Sequence, residues 1–221
     1  MTDVLLRDVE VDGARVDVLV IDGRVEAIGG ALAAVAPDGG AVSVVDGGGG
    51  ALLPGLHDHH VHLLAMAARR GGLDVDDCAD PAAFDARVRA AAADGSGWLR
   101  VGGHDEHRHG GLDRSRLDAL VGARPVRVQH RTGLAWTLSS TACDVVDLDD
   151  APAGSVERDA DGRPTGRVLR VDDWLATRVP TIELDLAGLG AELAAFGITG
   201  VTDATPALGV GRTSLLLEAV R

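Results

Sequence analysis

Over residues 3–53 apolar and polar positions alternate in short stretches broken by turn residues. "DVLLRDVEV" and "ARVDVLVI" flank Asp12-Gly13, and a second Asp-Gly pair at 22 and 23 leads into "RVEAI". Asp-Gly between alternating apolar runs is the signal of a tight two-residue hairpin. "AVSVVD" adds a strand before the glycine run at 47–50. The pattern predicts a β meander over 1–53, too small to bury two faces by itself and so in need of something to pack against.

After Pro54-Gly55 the period changes. "HHVHLLAMAARR" starts as a strand and can run into a helix. "DPAAFDARVRAAAA" has Asp80 as N-cap, Pro81 in the first turn and apolar residues at helical spacing. "GWLRVGG" and "RPVRVQHR" read as buried strands with the helix "DRSRLDALV" between them, and Asp161-Gly162 in "ERDADGRPTGRVLR" reads as a hairpin tip. "LAGLGAELAAFG" predicts a helix ending at Gly197, "ITGVTDATP" a strand and "RTSLLLEAVR" a last helix. Helix feeding buried strand feeding helix is the grammar of a parallel α/β fold.

Composition narrows the partners. A net charge of -13 over 221 residues argues against nucleic acid and anionic membranes, both of which attract clustered cations. A small-molecule or protein partner is expected instead. Cys78 and Cys143 stand in unrelated surroundings, which fits buried or free thiols of a reducing compartment. Trp98, Trp136 and Trp174 read as core. The N-terminus carries acids where a leader has a basic region, and no run approaches the roughly 20 apolar residues of a membrane span. A cytoplasmic location is the expectation. There is no lysine and no tyrosine in the chain.

Four of the eight histidines fall in "LHDHHVHLL", residues 56 to 64. On a strand, side chains alternate faces, so His60 and His62 share one face with Asp58, while His57 and His59 share the other with Val61 and Leu63. His-x-His at a strand end brings two neutral imidazoles to one ion, zinc or similar. The competing reading is a histidine-rich surface strand with adventitious metal affinity. Asp58 reads as a group orienting an imidazole, or as a turn or cap residue.

"ALLPGLHDHHVHLL" resembles the signature of the metal-dependent amidohydrolase superfamily, with Pro54, Gly55, Asp58, His60 and His62 on its positions. "GWLRVGGHDEHRHG", "RPVRVQHRTGLAW", "ERDADGRPTG" and "FGITGVTDATP" look like its amidohydrolase-3 branch, in the same order. The resemblance implies an incomplete (β/α)8 TIM-like barrel with an N-terminal β-sandwich segment: residues 1–53 belong to the sandwich, and 54–221 are the N-terminal part of the barrel, with an inserted region at about 70–190. It implies a divalent metal, zinc by expectation, held by His60 and His62 at the mouth of the barrel. Metal-activated water would hydrolyse a C–N bond of an amide or cyclic amide.

A catalytic zinc needs about three protein ligands. The family completes the set with a carboxylated lysine or another acidic or thiol ligand, histidines on the fifth and sixth barrel strands and an aspartate on the eighth. The lysine version is excluded here, and a whole barrel takes roughly 250 residues. The resemblance therefore implies the N-terminal part of an enzyme. The alternative is an inactive remnant, or a metal-binding half that needs a separate C-terminal partner, with exposed strand edges open to self-association.

Other pocket candidates follow from position. Glu106 lies in "GGHDEHRHGG", read either as a substrate-contacting loop, as the resemblance implies, or as a solvated surface loop. His130 reads as a pocket residue or a satisfied structural histidine. Asp203 ends the predicted second barrel strand, a position that favours function, or caps the next helix. No phosphate loop, nucleophile elbow or Cys-x-x-Cys pair is present.

Overall fold

The computed structural model describes residues 3–34, 39–95, 97–206 and 208–219. The chain divides into two compact units, Met1–His57 with Gly197–Gly200, and Asp58–Phe196 with Val201–Arg221.

The first unit is a meander. Strands β1 (Val4–Val11), β2 (Ala14–Ile21) and β3 (Arg24–Gly29) pair antiparallel, and β4 (Ser43–Asp46) adds parallel to β1, giving the order β3-β2-β1-β4. Both hairpins turn on the Asp-Gly pairs. Asp12 and Gly13 have φ of 51° and 80°, and Asp22 and Gly23 have 50° and 74°, the doubly positive pattern whose twist matches that of the flanking strands. Leu5, Val9, Val18 and Leu19 are buried, but Val25, Ile28, Val44 and Val45 stay about half exposed. A four-stranded sheet with apolar side chains left on its surface is what so short a meander can achieve.

The second unit is built on a six-stranded sheet. After β5 (Leu56–Val61) come α1 (Leu63–Arg70), the two-residue β6 (Leu73–Asp74), α2 (Pro81–Ala93), β7 (Leu99–His104), the one-turn α3 (Glu106–His109), α4 (Arg114–Val121) and β8 (Val126–His130). Then follow β9 (Ala135–Leu138), α5 (Ser140–Val146), β10 (Val156–Arg158), β11 (Pro164–Leu169), α6 (Asp172–Ala176), α7 (Leu186–Ala195), β12 (Ile198–Asp203) and α8 (Gly209–Ala219). The order is β10-β11-β9-β8-β7-β6. The last two residues of the expected final helix, 220 and 221, lie outside the described residues.

This sheet is mixed: the parallel α/β grammar holds for part of it, the hairpin expected at Asp161-Gly162 joins β10 to β11, and the antiparallel return at β9 is a departure from the parallel pattern. β6, β7 and β8 are parallel, joined by helical crossovers, but β9, β11 and β10 run antiparallel. Four residues, 131–134, connect β8 to β9, and so short a link permits only an antiparallel return. On one face Val101, Val126 and Val128 pack under Phe84 and Val88 of α2 and Leu117, Leu120 and Val121 of α4. Asp80 caps α2 by accepting the Ala83 N–H at 2.8 Å, and Asp113 does the same for α4 with Arg116 N–H at 2.8 Å. A second cluster gathers Trp136, Leu138, Cys143, Val146, Val168 and Leu175.

β11 comes close to the β9–α4 layer at Gly166, where φ is +85° and an added Cβ would sit 2.6 Å from the Leu138 carbonyl oxygen and 2.7 Å from Arg114 Cβ. Gly162, at the hairpin tip, has φ +79° and open space around it. Gly162→Ala is expected to cost about 1 kcal/mol from backbone strain alone. Gly166→Ala should cost about 2–4 kcal/mol, because overpacking adds to strain. Urea denaturation of the two variants checks this, and equal midpoints would mean that the close approach exerts no pressure.

β5 and β12 form a separate two-stranded sheet. Leu56 N–H donates to the Gly197 carbonyl at 2.8 Å and Ala204 N–H to the Val61 carbonyl at 2.7 Å, so the two strands run in the same direction. Nearly 140 residues of chain, including the whole six-stranded sheet, intervene between them. No helix among the described residues is long and apolar enough to cross a membrane.

Candidate functional site

Val61 is buried and anchors β5, while His60 and His62 on the opposite parity are exposed. Their rings stand 5.4 Å apart between centroids and nearly perpendicular, at 81°. His62 falls just past the strand, at the N-cap position of α1. Its Nδ1 lies 3.2 Å from Thr205 Oγ1, so Nε2 is the ring nitrogen turned away from that contact.

The end of β12 supplies the rest of this cluster. Asp203 Oδ2 accepts the Leu63 N–H at 2.8 Å and Oδ1 accepts the Thr205 N–H at 2.8 Å. Burial works to raise the Asp203 carboxyl. Hydrogen bonds from the Thr205 side chain and N–H, then from Leu63, and the field of His62 outweigh it and hold the group below the usual carboxylate range. Asp203 is thus an ionised tie between the strand end and the first turn of α1, beside His62. Asp58 Oδ1 accepts the His60 backbone N–H at 3.0 Å, a turn contact two residues on rather than a bond to an imidazole. Thr205 went unread in the sequence, since only the pairing of β12 with β5 brings it to His62.

Two imidazoles bound to one tetrahedral ion have ring centroids about 5 Å apart, from a Zn–N distance near 2.0–2.1 Å. The His60–His62 separation fits that, and the Thr205 contact selects Nε2 of His62. Among the described residues no group of three or more His, Cys, Asp or Glu side chains is placed to hold a metal ion. The pair by itself offers two imidazoles.

A second cluster lies at the ends of β7 and β8. "GGHDEHRHGG" is not a loop throughout: it finishes β7 and makes the single turn α3, with Asp105 accepting the His107 N–H at 3.0 Å. His109 is buried, takes the Asp105 N–H on Nδ1 at 3.1 Å and directs Nε2 at the Cys78 carbonyl, 3.1 Å away. Glu106 Oε2 meets His130 Nε2 at 2.5 Å. His130 Nδ1 accepts the Thr132 N–H at 3.2 Å and lies 2.7 Å from Thr132 Oγ1, so the ring proton belongs on Nε2, facing Glu106. A hydrogen bond from its own backbone N–H, followed by the His130 contact, holds Glu106 below the usual carboxylate range against slight burial. Glu106 and His130, with His104, Thr137 and Arg167, line a cavity of about 30 Å³, room for about one water. The two cysteines are free and buried, and burial raises both thiols, Cys143 to about 11. That shift disfavours the thiolate, the nucleophilic form.

Comparison with known proteins adds to this geometry. The fold is similar to that of an uncharacterized metal-dependent hydrolase from Pyrococcus horikoshii OT3, at 16% identity and a TM-score of 0.68, over 98% of this chain and 45% of that one. It is also similar to an uncharacterized metal-dependent hydrolase from Pyrococcus furiosus, at 16% identity and a TM-score of 0.61, over 98% of this chain and 47% of that one. The chain thus spans a little under half the length of these structures. No curated protein matches it. The amidohydrolase family model matches residues 43–215, a stretch that takes in the His-x-His pair, both clusters and nearly every element of the second unit, and the chain belongs to that family, in its amidohydrolase-3 branch.

Proposed function

We propose that this chain is the N-terminal part of a metal-dependent hydrolase that cleaves C–N bonds of amide or cyclic-amide type. His60 and His62 contribute two ligands to a divalent metal, zinc by its preference for imidazole. In this reading β5 and β12 are the first two strands of a (β/α)8 barrel, residues 1–53 are part of a β-sandwich, and the six-stranded sheet is an insertion between the barrel strands. The observation that carries the reading is the pair of imidazoles at a separation suited to one ion, with His62 oriented by Thr205.

When bound, the metal acidifies water and polarises the substrate carbonyl. The chain's own residues do the remaining work. Thr205 fixes the His62 ring, and Asp203 pins the start of α1 so that His62 stays at the strand end. The ionised Glu106, with His130 held against it, offers a hydrogen-bond acceptor that can orient an N–H or O–H group of a substrate.

Zinc titration of the metal-free protein tests the ligand assignment. The double variant His60→Ala, His62→Ala is expected to bind zinc at least about tenfold more weakly, while Thr205→Ala should weaken binding less and leave both rings present. Equal zinc affinity in native chain and double variant would refute the assignment. Amide turnover by this chain alone, against turnover only with a C-terminal half added, separates a self-sufficient hydrolase from a metal-binding half.

A further inference from the structure

Away from both clusters, two arginines face each other across the parallel pair β7–β8. Arg100 and Arg127 are register partners, an arrangement of like charges that is unfavourable unless something offsets it. Their alternation puts them opposite the Val101–Val126–Val128 face, on the side of Trp136 from β9. The Arg100 guanidinium lies 5.4 Å and that of Arg127 5.2 Å from the Trp136 ring centroid.

The two differ in what else holds them. Arg100 donates to the Ala68 carbonyl at 2.6 Å and to Gln129 Oε1 at 2.8 Å. Arg127 is only 8% exposed, yet among the described residues its guanidinium has neither a hydrogen-bond acceptor nor a carboxylate within 4.0 Å, and it lies over the Trp136 indole face. Asp172 is the carboxylate whose field reaches both arginines, but its Oδ1 accepts the Trp136 indole N–H at 2.9 Å. Arg69, the cation whose field acts on Arg100, is taken up by Asp74 through two contacts of 2.7 Å. Against two guanidiniums stands one carboxylate, so one positive charge is left over. Burial, then the Arg100 charge, pulls Arg127 down to about 10, in keeping with a cation that lacks a partner.

The guanidinium edge is not sealed. Trp174 Nε1 is the one side-chain polar atom among the described residues that is both fully buried and without a partner, so the Arg127 nitrogens retain a path to solvent. A nearly buried, unpaired guanidinium with an open edge is the recognition element for an oxyanion that offers two oxygens to its fork through parallel hydrogen bonds.

We infer that Arg100 and Arg127, backed by Trp136, form a binding site for a small oxyanion, a carboxylate or a phosphate group. Arg127 provides the fork, Arg100 the second charge, and Trp136 holds both cations in place. The site is distinct from the His60–His62 pair and from the Glu106–His130 cavity and shares no residue with either.

Thermal unfolding and tryptophan fluorescence of the whole chain test this, with acetate and phosphate each titrated against chloride at constant ionic strength. Acetate or phosphate is expected to raise the melting temperature saturably and to perturb the fluorescence, while chloride does neither. The anion with the lower half-saturation identifies the class. Arg127→Met should raise the half-saturation at least about tenfold, and should melt in chloride at the native temperature or above it, since it removes an unpaired buried charge. Arg127→Lys keeps the charge without the fork and should bind with intermediate strength. An unchanged anion response in Arg127→Met, or no response in the native chain beyond that to chloride, would overturn the proposal. So would a lowered melting point of Arg127→Met in chloride, which would make Arg127 a structural cation.

Discussion

Phe84→Ala is expected to destabilise the protein by about 3–5 kcal/mol, the range for emptying a buried aromatic site, and to loosen the Glu106–His130 contact as it does so. Phe84 is fully buried in the first half of α2. Its ring stacks on His109 at 5.2 Å and 16°, meets His104 edge-on at 5.3 Å, and carries the Arg116 guanidinium 5.4 Å from its centroid. Those two histidines bracket Glu106, so the phenyl ring is the floor on which the 104–109 segment rests. Phe84→Leu fills part of the volume and should cost about 1–2 kcal/mol less than alanine. Denaturant midpoints measure both. A cost under about 1 kcal/mol for alanine would show that the site collapses without loss and that the ring cluster holds nothing in place.

How much of this was legible in the sequence depends on the kind of interaction. Where the chemistry is local, the reading is good. Asp-Gly at 12–13 and 22–23 names its own turn because both positions need positive φ, and Asp80-Pro81 names its own helix start. Short elements escape: α5, with two β-branched valines, a cysteine and an aspartate in seven residues, has weak helical propensity. α6 spans five residues and β6 two, too few for any period to register. The Asp161-Gly162 hairpin was legible, but the antiparallel return at β9 was hidden, because a helix–strand–helix rhythm suggests a parallel neighbour and the turn from β8 to β9 depends on a four-residue link.

Long-range juxtapositions were illegible for a different reason. The alternation in "HDHHVH" groups His60 with His62, but Thr205 stands 143 positions from His62 and only strand pairing joins them. Asp58 could be read as orienting an imidazole or as a turn residue, and the structure gives it the turn contact, accepting the His60 N–H two residues on. Arg100 and Arg127 are unremarkable in a chain whose every cation is an arginine. Their confrontation exists only in the register of β7 and β8, which alternation alone does not define.

Lowering the pH from about 6.5 to 4 is expected to remove about 3 kcal/mol of stability through His104 alone. The imidazole is 5% exposed, and Nε2 donates to the Gly110 carbonyl at 3.2 Å. Burial holds its pKa down at about 4; the Gly110 bond and the Glu106 charge work upward, and His109 and His130 work downward. Since the unfolded histidine titrates near 6.5, the unfolded chain takes up a proton in this window that the folded chain refuses. The contribution is therefore intact above pH 6.5 and is lost as pH falls toward 4. Carboxylates held low, such as Glu106 and Asp203, also withdraw stability on acidification, but only below their ordinary range near 4. The upper part of the window accordingly belongs to histidine. His104→Gln keeps a donor for Gly110 and cannot charge, so its stability should stay flatter between pH 6.5 and 4.5, and the gap between native and variant should close or reverse on acidification. Parallel profiles in urea denaturation would mean that His104 is protonated in the folded state. In the expected case His104 stays neutral at physiological pH beside His130, and Glu106 keeps its negative charge for whatever N–H or O–H group enters the cavity.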